Sequence, residues 1–238
     1  MVTSSAMPRQ EELAANLRAV EERLAAACAA AGRDRHEVTL VAVTKAFPVT
    51  DIRLLASLGV SDIAENRDQE AAPKARQCAD LDLTWHFVGQ LQTNKCRSVA
   101  GYAHVVHSID RSRLVGVLGQ ETRRAGRTLS CLVQVNLDGE ETQRAGVEPR
   151  AALRLADEVA SEEGLFLAGV MAVAPQHDDP EAVFARFAEV AASIRSVYPQ
   201  ATAISAGMTG DLECAVAHGA THVRIGTALL GARQEVVR

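Results

Sequence analysis

The chain has 238 residues, enough for one large domain or two small ones at about 150 residues each. Hydrophobic residues make up 47% and charged residues 23%, a mix that excludes a disordered or fibrous chain. A net charge of −5 and 3% aromatics supply neither the basic field nor the stacking rings that a nucleic-acid surface needs.

The first element is a helix. Leu13, Leu17, Val20, Leu24 and Cys28 recur at spacings of three or four, one face of a 3.6-residue period, and predict a helix over 9–32 ending near Gly32. No basic, then apolar, leader precedes it, and no run is long and apolar enough to span a bilayer. From residue 38 the pattern changes. Short β-branched runs at 38–44, 60–64, 84–88, 104–107, 129–135, 165–171, 201–204 and 221–225 alternate with amphipathic stretches. Eight strand–helix units predict a parallel sheet closed into a (β/α)8 TIM barrel over 38–238, an α/β fold with one additional N-terminal helix and a single domain over 1–238. An open doubly wound sheet is the competing architecture. It wants a glycine-rich first turn, and the first turn here reads TKAFPVTD.

In a barrel the chemistry sits at the C-terminal strand ends. Read in order, these ends are Lys45, Glu65 with Asn66, His86, Ser108, Asn136, Met171, Ser205 and Arg224. Lys45 closes the run LVAVTK. It is either a strand-end cation that snorkels to water or a desolvated amine able to form a Schiff base with an aldehyde. The segment SAGMTGD (205–211) and the segment RIGTALLG (224–231) each join a strand to a helix through small residues, so backbone N–H groups can face an anion there. Together they predict a phosphate site after strands 7 and 8, each alone being no more than a turn. Arg224 needs an anion or an acceptor: the ring nitrogen of a pyridine cofactor, Glu65 or Asp211. His86 alternates with Trp85 and Phe87 and therefore faces inward, as a site residue or as a satisfied core histidine.

Five scattered cysteines without a CxxC pair point away from disulfides and zinc, and toward a reducing, cytoplasmic setting. His104 and His107 are three apart, the wrong spacing for a metal pair on a strand, and no HxH strand motif supports a metal-dependent hydrolase.

The segments VAVTKAFP (41–48), AENRDQE (64–70), WHFVGQLQTNK (85–95), VVHSID (105–110), VQVN (133–136), GVMAVAP (169–175), ISAGMTGD (204–211) and VRIGTALLG (223–231) together resemble the pyridoxal phosphate homeostasis proteins. These are single-domain relatives of the N-terminal barrel of alanine racemase. The resemblance implies pyridoxal 5′-phosphate on Lys45 as a Schiff base. It implies phosphate contacts from Ser205, backbone near Met208, Gly226 and Thr227, with Arg224 at the pyridine nitrogen and Asn66 beside the lysine and the ring. His86, from its inward position, is expected among the cofactor-binding residues. Two positions depart from the family pattern: Ala64 stands where a glycine is usual, and Arg144 stands where a loop lysine is common. Arginine forms no Schiff base, which puts any secondary lysine handling of the cofactor in that loop in doubt.

An arginine at the ring nitrogen keeps its proton, so the ring stays a poor electron sink. Racemisation on such a ring needs two acid/base groups. The chain has only Tyr102 and Tyr198 as tyrosines, both outside the strand ends, and the barrel uses nearly all residues. The expectation is a monomeric carrier that holds pyridoxal phosphate and releases it to amines or apo-enzymes. The alternative is an amino-acid racemase or related lyase using Lys45 as one base.

Overall fold

The computed structural model describes residues 8–138, 145–175 and 178–232. Arg144 lies outside them. Eight parallel strands close into a barrel in chain order: β1 (Thr39–Val43), β2 (Asp62–Glu65), β3 (Thr84–Phe87), β4 (Val105–Ile109), β5 (Leu129–Val135), β6 (Leu165–Ala172), β7 (Ala203–Ser205) and β8 (His222–Ile225). The ring closes where β8 pairs with β1, Arg224 opposite Val41. All eight expected strands are present. Each lies within a few residues of the apolar run that announced it.

The first helix, α1 (Arg9–Ala30), precedes the barrel. The connecting helices follow as α2 (Val49–Ser57), α3 (Asp68–Gln77), α4 (Cys96–Tyr102), α5 (Ser112–Arg124), α6 (Pro149–Ser161), α7 (Pro180–Val197), α8 (Leu212–Ala217) and α9 (Thr227–Leu230). Proline at the first position of α6 and α7 fits because that N–H has no intrahelical partner. Among the described residues no helix is long and apolar enough to cross a membrane.

Alternation along each strand sends one parity toward the helices and the other into the barrel. Outward residues build two aliphatic clusters. One joins α1, α2, α8 and α9 to Leu40, Ile63, Trp85 and Val223. The other joins α4 to α7 to Phe87, Val106, Cys131 and Leu167. Only Val41, Val43 and Ala64, with Val88 against them, form an inner aliphatic cluster. Much of the described interior carries polar side chains, among them His86, His107, Ser205 and Arg224, where branched aliphatics usually fill such barrels.

Candidate functional site

The turn after β1 presents Lys45. Two features fix that turn. Ala46, next in the chain, is held at a left-handed φ of 67°, a conformation that costs an L-residue energy and concentrates at functional sites. Its N–H donates to Glu70 Oε2 at 3.2 Å. Beneath the turn Thr44 donates through Oγ1 to Glu65 Oε1 at 2.6 Å, and Lys74 Nζ donates to the same oxygen at 2.6 Å and to Thr44 O at 3.0 Å. Burial drives the Glu65 carboxyl above its usual value, and Lys74 and Thr44 oppose that rise. Glu65 thus points outward, under the turn that carries Lys45.

Asn66 follows β2 at the mouth. Its backbone is met by Gly89 after β3: a Cβ on Gly89 would stand 2.0 Å from Asn66 O, so only glycine lets the two loops approach. On the far wall Gly207, at φ 90°, turns the chain out of β7 toward Met208, Thr209 and Gly210. Met208 N–H is already bound by Asp211 Oδ1 at 2.6 Å. The N–H groups of Thr209 and Gly210 have no acceptor among the described residues. Gly226 and Thr227 open α9 beside them.

These pieces meet. Lys45, Asn66, Met171, Met208, Thr209, Gly210, Arg224, Gly226 and Thr227 line one cleft of 410 Å³ at the C-terminal mouth of the barrel. Asn136, from the end of β5, lines an adjoining cleft that shares Val173 and Met208 with the first. Arg224 is buried and fully bonded on its inner side, donating to Ser205 Oγ at 2.7 Å and to Ala172 O at 2.9 Å. Burial lowers its pKa to about 10, with Asp211 opposing, so it remains cationic at neutral pH. Neither Glu65 nor Asp211 is its hydrogen-bond partner.

Two expected site residues are not at the mouth. His86 is inward but buried below the cleft, its Nδ1 2.8 Å from His107 Nε2 and its Nε2 3.0 Å from Asp62 Oδ1. Ser205 is buried too, and its hydroxyl is committed to His107 Nδ1 at 2.9 Å and to Arg224. The reason is direction: His86 enters the barrel one residue short of the end of β3, and Ser205, though it ends β7, turns inward to His107 and Arg224. His107, His222 and Asp62 complete that layer; in the sequence His107 is weighed only as a metal ligand, and His222 and Asp62 are not singled out. The inward parity shared by His86, Asp62 and Arg224 is the one signal that could have found them.

The two tyrosines stand elsewhere. Tyr102 closes α4 and packs edge-on against Trp85 at 6.5 Å, and burial raises its pKa strongly. Tyr198 donates to Asp157 Oδ1 at 2.8 Å on the outer surface. Ser108 is buried in β4.

The alanine racemase N-terminal domain family model matches residues 12–234. A pyridoxal phosphate homeostasis protein of Mycobacterium bovis is 42% identical over 97% of this chain and 96% of its own. The chain belongs to this family. The Synechococcus elongatus protein PipY, solved with pyridoxal phosphate bound, is 30% identical with a TM-score of 0.79 over 92% of this chain and all of its own. An alanine racemase of Clostridium difficile shares the fold alone, at 13% identity and a TM-score of 0.75 over 92% of this chain and 56% of its own.

Proposed function

We propose that this protein binds pyridoxal 5′-phosphate covalently through Lys45 and acts as a carrier in vitamin B6 homeostasis, with little turnover of its own. The observation that carries the reading is the convergence of Lys45 and Arg224 on one cleft whose far wall offers the N–H groups of Thr209 and Gly210, which have no acceptor among the described residues. The donor set fits the cofactor. Lys45 is the amine for its aldehyde, Arg224 the cation for its ring nitrogen, and residues 209–210 with Gly226–Thr227 the amides for its phosphate. Asn66 flanks the lysine on the cleft wall. When bound, the cofactor supplies an aldehyde that condenses reversibly with amines.

Arg224, cationic and bonded to Ser205 and Ala172, donates rather than accepts, so it withholds the proton that would make the ring a strong electron sink. Tyr102 and Tyr198 lie off the cleft and cannot serve as a second acid/base group. Both features favour holding the cofactor over transforming amino acids on it. The relatives' names and the pyridoxal phosphate in PipY support the same reading. We further propose a cytoplasmic monomer that exchanges the cofactor with amino acids or apo-enzymes. The four buried free cysteines, Cys28, Cys78, Cys96 and Cys131, suit a reducing compartment.

Borohydride reduction of the loaded protein, read by mass spectrometry, should fix the cofactor on Lys45, and Lys45→Ala should lose both the tag and the visible absorbance band while keeping its melting temperature. A tag on another residue would refute the assignment. Exchange of α-protons across an amino-acid panel should stay far below ordinary turnover; rates above about 1 per second would establish the racemase or lyase reading instead.

A further inference from the structure

The barrel interior carries Asp62, His86, His107, Ser205, His222 and Arg224 on inward-facing positions. Five of them form one unbroken line. Arg224 Nη1 lies 2.7 Å from Ser205 Oγ, Ser205 Oγ 2.9 Å from His107 Nδ1, His107 Nε2 2.8 Å from His86 Nδ1, and His86 Nε2 3.0 Å from Asp62 Oδ1. The line starts at the mouth and ends at the first residue of β2, on the opposite face, where the Asp62 side chain is 21% exposed and also accepts from Ser61 at 2.7 Å.

Its direction follows from its ends. A guanidinium can only donate and a carboxylate can only accept. With both rings neutral, His86 must hold its proton on Nε2 to reach Asp62, so its Nδ1 accepts from His107 Nε2. That leaves His107 Nδ1 as an acceptor, filled by the Ser205 hydroxyl, whose oxygen in turn accepts from Arg224. Every donor meets one acceptor, and each bond polarises the next in the same sense. Protonating His86 would break this order: His107 would carry its proton on Nδ1, and Ser205 would face two donors at once. Burial, then the nearby His86, Arg224 and His222, hold His107 far below the usual histidine pKa, which agrees with a neutral ring. His222 is the other titratable group in the layer, its ring 6.2 Å from His86 and 6.4 Å from His107. Its Nδ1 is paired with Thr221 Oγ1 at 2.8 Å.

We propose that Asp62, His86 and His107 are positioning residues for Arg224, holding its guanidinium oriented and charged at the mouth with a counter-charge on the opposite face of the barrel. This rests on the reading of Arg224 as the partner of the cofactor's ring nitrogen. The line would then set how strongly that nitrogen is hydrogen-bonded, from a carboxylate that never touches the cofactor.

The ring nitrogens test the line without any cofactor. In the cofactor-free protein, 15N spectra at pH 7.5 should show His86 and His107 both neutral with the proton on Nε2. A proton on Nδ1 of either ring, or a charged ring, overturns the proposal. Asp62→Asn keeps an acceptor oxygen and removes the charge. It should move the 15N shifts of His107 as well as His86, weaken pyridoxal phosphate binding about fivefold and displace the bound absorbance maximum, while melting cooperatively at a somewhat lower temperature. Unmoved His107 shifts and an unchanged spectrum would show that Asp62 acts only locally and would sink the proposal. Should the wild-type protein take up no cofactor, the carrier reading fails, and the ring-nitrogen result still decides whether the line exists.

Discussion

A buried carboxylate is tolerable only while its cation stays with it. The Glu65 side chain is 1% exposed and that of Lys74 10%, and they meet at 2.6 Å under the turn that carries Lys45. Removing one partner of such a pair leaves a buried charge and costs about 3–5 kcal/mol. Lys74→Met should lower unfolding stability in urea by that order. It should also weaken cofactor binding, because Lys74 ties down the Thr44 carbonyl. The double variant Lys74→Met with Glu65→Leu should recover most of the stability, since a hydrophobic replacement of a buried pair is often neutral. A double variant no more stable than the single one would show that Lys74 acts mainly through Thr44. The sequence marks Glu65 as a polar strand end but gives no sign of Lys74. A pair nine residues apart, one partner on a strand and the other on the next helix, has no local spacing to betray it.

Elements show the same division between what a period reveals and what closure decides. The stripe of α1 is legible, and Leu13, Val20, Leu24 and Cys28 are buried as the period requires, with Leu17 half-buried. Its partners are not legible, because they come from α2, α8 and α9. Leu24→Ala, at a fully buried position, should cost about 2–5 kcal/mol in chemical denaturation. A loss below about 1 kcal/mol would mean that α1 is dispensable to the barrel. The strands were legible as β-branched runs, and the Lys45, Asn66, Arg224, Gly226 and Thr227 part of the cleft as strand ends. The polar layer was not. It depends on the register shift in β4 after Val106, which sets how β4 meets β5, and on ring closure, which brings Ser205 to His107 across 98 residues. Parity put His86 inside, but neither period nor spacing could name its partners.

For the whole molecule, the buried imidazoles decide how stability follows pH. Burial lowers the pKa of His107 and His104, and lowers that of His222 to about 4. An unfolded histidine titrates near about 6.5. Between these values the unfolded chain binds protons that the native barrel refuses, so stability falls as pH drops from about 6.5 to about 4. Asp62 adds to this at lower pH: burial alone would raise it, but the bonds from His86 and Ser61 outweigh that and hold it below the usual range. Its contribution is present above about 3.9 and is lost as pH falls through its native value. Thermal melts from pH 7 to pH 4 should show this decline, with a shallower slope in His222→Gln; a flat profile for the wild type would contradict the buried neutral rings. One further consequence concerns synthesis. Arg9 donates to Leu230 O at 2.9 Å and Asn16 to Leu229 O at 3.1 Å, contacts spanning 221 and 213 residues. Helix α1 is therefore docked in part by a segment made more than two hundred residues after it. At about 5–20 residues per second, its apolar stripe waits on the order of 10–40 s for the α8 and α9 part of its seat, so the docked helix records the last step of synthesis and not the first.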